Sequence, residues 1–79
     1  MLKAWIETYE SMIESLKRLI NNEERHIAHY KANKHLAIDE NEKESYEKAI
    51  RTAQDSLDHF RKEKVVYTER VEYLRKSRL

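Results

Sequence analysis

Apolar residues recur along this chain at alternating steps of four and three, in two blocks that do not share a register. In the first block Leu2, Ile6, Tyr9, Ile13, Leu16, Ile20, Glu23, Ile27, Tyr30 and Lys34 follow the pattern. Ile6, Ile13, Ile20, Ile27 and Lys34 take heptad position a; Leu2, Tyr9, Leu16, Glu23 and Tyr30 take position d. In the second block Ile50, Leu57, Lys64, Val71 and Arg78 are a, and Tyr46, Ala53, Phe60, Tyr67 and Leu74 are d. Each block is a helix of roughly 35 residues, about 50 Å at 1.5 Å per residue.

The first register fails at Asn41 and Glu44, where apolar residues are due. The break therefore lies within His35–Asn41. Asp39 with Glu42, and Asn41 with Glu44, both fit a capping box, in which a short oxygen-bearing side chain and a later Glu satisfy free N–H groups. A turn this short makes the helices antiparallel neighbours. Asn21-Asn22 with Glu24 is a weaker break signal, but the heptad passes through it in phase, so the first helix is read as continuous. The expected fold is all-α: one domain over 1–79, a two-helix antiparallel coiled-coil hairpin dimerising into a four-helix bundle. The helices span about 2–35 and 42–77, with a turn over about 36–41.

Folding about residue 40 sets Ile20 against Phe60, Ile13 against Tyr67, Tyr9 against Val71 and Ile6 against Leu74. Towards the turn, Ile27 meets Ala53 and Tyr30 meets Ile50. Every a then faces a d, as antiparallel packing requires. On the flanks Lys31 is expected near Glu47, and Glu24 near Arg61 or Gln54.

The seam does not use all the apolar residues. Trp5, Met12 and Leu19 recur every seven residues at position g, and Val66 and Tyr73 lie seven apart at position c of the second helix. These five are expected on one side of the hairpin's terminal half, as an oligomer or partner interface. The opposite flank carries Lys3, Glu10, Lys17, Glu24 and Lys31 and reads as solvated. A two-helix hairpin has no third element to cover an apolar flank, and small scaffolds without staples commonly need a partner. Self-association as a two-fold homodimer is the simplest answer, because a soluble monomer rarely leaves such a patch bare.

Composition narrows the chemistry. The chain has no Cys, no Gly and no Pro. A thiolate metal site, a disulfide framework and a glycine-rich phosphate loop are therefore excluded. Lys plus Arg is 16 and Asp plus Glu is 15, a formal charge of +1 that does not suit binding nucleic acid by charge alone. No apolar run approaches the length of a membrane span, and no secretory pattern opens the chain; a cytoplasmic protein without membrane contact is expected.

Glu23-x-x-His26, with His29, has the spacing of a carboxylate-bridged metal ligand set. The residues expected at that level on the second helix are Ala53 and Leu57, so Glu23 reads as a polar interruption that sets pairing, and no metal or cofactor is expected. Lys64 reads as a long stem carrying its ammonium to water, and His35 and His59 as surface residues. Arg75, Lys76 and Arg78 complement a helix C-terminus, with contact to an acidic partner as the functional alternative. No nucleophile–base arrangement has a credible pocket, so no catalytic residues and no enzymatic activity are expected. Small size without a catalytic constellation suits an inhibitor or adaptor of a larger protein, the kind a phage or mobile element carries. The alternatives are a purely structural homo-oligomer and a nucleic-acid accessory protein using its basic C-terminal end.

Overall fold

The protein, described here over residues 2–77 of a computed structural model, is all-helical. Helix α1 (Leu2–Leu36) and helix α2 (Glu40–Ser77) pack side by side as an antiparallel hairpin, a rod of 61 × 14 × 13 Å. α1 runs unbroken through Asn21-Asn22, both exposed, as continuity of the heptad requires.

The turn is tighter than the expected 36–41. The Ala37 N–H donates to the Lys34 carbonyl at 3.2 Å, which closes the end of α1 with an i→i+3 bond. The Asp39 carboxylate then accepts the Asn41 N–H at 3.1 Å, and the Asp39 carbonyl accepts the Lys43 N–H at 3.0 Å. Asp39 is thus the N-cap, and Asn41, the other capping candidate, lies inside the helix it was expected to start. Glu40 and Glu42 add negative charge at the positive end of the helix dipole. No described residue has positive φ, so the reversal needs no glycine. Asp39→Ala is expected to cost about 1 kcal/mol in urea denaturation, the usual loss for an N-cap acceptor.

The seam follows the heptad. Ile6, Leu16, Ile27, Ile50, Ala53, Leu57 and Val71 are buried, and every other seam position among the described residues is at least partly buried. Arg78, the last expected a residue, lies outside the described residues. The contiguous core is in the turn half, where Ile27, Ile50, Ala53 and Leu57 cluster with Ile20 and Tyr30 at their edge. No described side chain is completely enclosed. That follows from architecture: each helix has one neighbour, so one side of every seam residue looks outward.

Cross-helix ion pairs mark the vertical alignment. Glu24 pairs with Arg61 at 3.2 Å, Glu10 pairs with Arg75, and Lys34 pairs with Glu47 at 3.1 Å. Lys31, expected near Glu47, borders the same open hollow as Glu47, while Lys34 makes the ion pair. Lys31 sits one turn back from Lys34 and also borders a groove with Gln54. All three pairs are substantially exposed, so each contributes at most a few tenths of a kcal/mol.

Candidate functional site

The two flanks of the rod differ in kind. Heptad positions e and b on one side carry the cross-helix pairs of Glu10 and Glu24. Positions g and c on the other carry the large apolar residues that the seam does not absorb. Trp5 is 57% exposed and Tyr73 71%, and Met12, Leu19 and Val66 are exposed too. Met12 and Leu19 line an open groove with Leu16, and α2 supplies Glu63 and Tyr67 to it. Val66 and Tyr73 each lie three residues beyond a g residue of α2, Glu63 and Arg70, and so extend the same flank outward.

The terminal half of this flank is organised by aromatic rings. Tyr9 and Tyr67 stack across the helices with centroids 5.7 Å apart and an interplanar angle of 28°. Trp5 tilts onto Tyr9 at 6.1 Å. The Arg70 guanidinium lies 5.7 Å from the Tyr9 centroid and 5.8 Å from that of Tyr67. Such a cation over two ring faces contributes on the order of 1 kcal/mol at a partly exposed site. The folding register placed Tyr9 opposite Val71 and Tyr67 opposite Ile13; the rings reach diagonally instead, because aromatic side chains span more than one level. Arg70 was visible in the sequence only as a g residue three positions after Tyr67.

In the turn half the flank is polar. The Glu23 carboxylate turns out of the seam, 3.3 Å from Nδ1 of His26, over a shallow hollow with Tyr30, Thr52 and Ser56. His29 Nε2 lies 2.9 Å from the Asn33 side-chain nitrogen, which also donates to the His29 carbonyl at 3.1 Å. His59 Nε2 lies 2.9 Å from the Glu63 carboxylate. Glu23 and His26 are neighbours as their spacing requires, while His29 turns to Asn33. Among the described residues no group of three or more His, Asp or Glu is gathered in metal-binding geometry.

Other exposed apolar residues escaped the periodicity. Val65 is exposed on the charged flank, beside Ile20, Arg61 and Lys64. Leu36 and Ile38 project at the turn, where Ile38 is 93% exposed. Lys64 is partly buried, with its carbonyl accepting the Thr68 hydroxyl at 2.8 Å. Of the basic C-terminal residues, Arg75 is engaged by Glu10, Lys76 is exposed, and Arg78 lies outside the described residues. No helix among the described residues is long and apolar enough to cross a membrane. Compared with protein-family models, curated proteins and solved structures, the chain has no match in any of the three.

Proposed function

We propose that this chain is a non-enzymatic protein-interaction module: a helical hairpin that self-associates, most simply as a homodimer forming a four-helix bundle, and that binds and modulates a larger protein as an inhibitor or adaptor. The observation that carries this reading is the exposure of Trp5, Met12, Leu19, Val66 and Tyr73 along one flank of a rod with no third layer. Trp, Tyr and Met are enriched at the centres of protein interfaces. The polar pairs Glu23–His26 and His59–Glu63 are one-turn contacts on an open surface, which suits specificity of packing better than catalysis.

The test is affinity capture by the intact chain from a lysate of its own cells, with two variants alongside. Trp5→Glu combined with Met12→Glu is expected to lose the captured protein, while Val65→Glu, on the other flank, keeps it. Equal capture by the double variant overturns this use of the flank.

A further inference from the structure

We infer that the occupant of the g/c flank is a second copy of this chain, laid face to face along the full rod with the two turns at the same end. This rests on the interaction-module reading with its homodimer, and adds the extent of the paired face and the alignment of the two copies.

The first ground is a charge asymmetry that runs the whole length of the hairpin. From Trp5 to Asn33, no g or c position of α1 holds Asp, Glu, Lys or Arg, in a chain that is 39% charged. After the large apolar residues come Asn22, His26, His29 and Asn33. Across from them α2 presents Ala49, Thr52, Ser56 and His59, small or uncharged and suited to close approach. The e and b positions of α1 read Lys3, Glu7, Glu10, Glu14 and Lys17 over the same stretch as the apolar residues. Depletion of charge marks the core of an interface, and here it extends well past the apolar patch.

The second ground is how the flank's few charges are partnered. A two-fold contact repeats every charge, so an unbalanced face repels its own copy. The Glu23 carboxylate has the His26 ring as a neighbour at 3.3 Å, Glu63 has the His59 ring at 2.9 Å, and Arg70 is held over the Tyr9 and Tyr67 rings. Each of these charged groups therefore has a polar or aromatic neighbour within its own chain before a partner arrives.

The third ground is size. The chain exposes 6288 Å², against about 5,100 Å² for a compact monomer of its mass. One face of the rod measures 61 by 14 Å, long and broad enough to seat an interface of the standard size of roughly 800 Å² per partner.

Alignment follows from levels along the rod. With the two-fold axis parallel to the helices, α1 of one copy lies over α2 of the other. Trp5 then covers Tyr73 of the second copy and Met12 covers Val66, since both pairs are spaced by seven. With the axis across the rod and centred on Met12, Asn22 to Asn33 would hang free, and their lack of charge would serve nothing.

The absence of cysteine allows a clean test. The chain labelled with a spin probe through Ile38→Cys is expected to sediment at twice 9.6 kDa, with the two labels within about 30 Å, the width of a four-helix bundle plus label arms. Met12→Glu is expected to weaken association at least about 100-fold with helicity retained, because it buries an unpaired carboxylate in each copy. Val65→Glu is expected to change it by less than about threefold. A label separation above about 50 Å, which opposed turns on rods of this length require, overturns the alignment. A single-chain mass at all concentrations, or a dimer indifferent to Met12→Glu, overturns the second copy as occupant. Failure of the alignment leaves the proposed homodimer standing; a single-chain mass removes the homodimer as well but leaves the foreign-partner reading, because a monomer can still lose a captured foreign protein on Trp5→Glu with Met12→Glu.

Discussion

Leu57→Ala is expected to destabilise the fold by about 3 kcal/mol and to lower the melting midpoint by roughly 12–24 °C. Leu57 is 7% exposed and belongs to the one contiguous core cluster, with Ile27, Ile50 and Ala53. Truncation removes its buried methyl groups and leaves a gap. Ala53 cannot fill that gap, and Glu23, at the same level on α1, has its carboxylate engaged with His26. Leu19→Ala removes the same atoms from a side chain that is already 42% exposed, and at the level of the single chain its cost is expected to stay below about 1 kcal/mol. Both are read by thermal and urea denaturation at one fixed protein concentration, since association raises apparent stability by mass action. Equal losses at the two sites would mean that Leu19 is covered as thoroughly as Leu57. A loss under about 1 kcal/mol at Leu57 would mean that the turn-half cluster does not hold the hairpin together.

The seam was legible because periodicity is carried by residue order alone, without knowledge of any partner. A 4-3 spacing fixes which side of a helix each residue occupies, and the partly buried state of Glu23, Lys34 and Lys64 shows that the pattern outranks residue type. The cap was legible only as a choice between Asp39 and Asn41. Asp39 takes it because its carboxylate reaches the N–H two residues on, and that N–H belongs to Asn41. Partners across the seam were legible to within one turn. Long stems settle the remainder, as when Lys34 rather than Lys31 reaches Glu47. The apolar flank was legible through its repeats at seven, which single out Val66 with Tyr73 and pass over Val65. Adjacent helical residues point about 100° apart, so the Val65–Val66 pair divides between the two flanks. The ring-and-guanidinium cluster of Tyr9, Tyr67 and Arg70 was not legible, because it depends on how far side chains lean along the rod.

Glu23→Leu is expected to act in the opposite direction, raising stability by about 1–2 kcal/mol. Position d at this level is framed by Ile20, Ile27 and Leu57, so a leucine there completes an apolar run that the glutamate interrupts. Partial burial of a leucine side chain is worth about 1.5 kcal/mol. Against that stands the loss of the contact with His26, 3.3 Å long and with the Glu23 side chain still 22% exposed, which is worth less than a buried pair. The wild-type residue therefore trades stability for definition, as single polar residues in helical seams do. With leucine in place, the two apolar stripes lose one of the features that distinguish the hairpin's own pairing from pairing between chains. The variant is expected to show a higher urea midpoint with an unchanged m-value, and a larger mean assembly size than the wild type at high concentration. A lower midpoint would reverse this account and make the Glu23–His26 contact a net stabiliser of the turn half. His26→Ala then separates the two cases: it leaves the midpoint within about 0.5 kcal/mol if burial dominates, and reproduces the loss if the contact does.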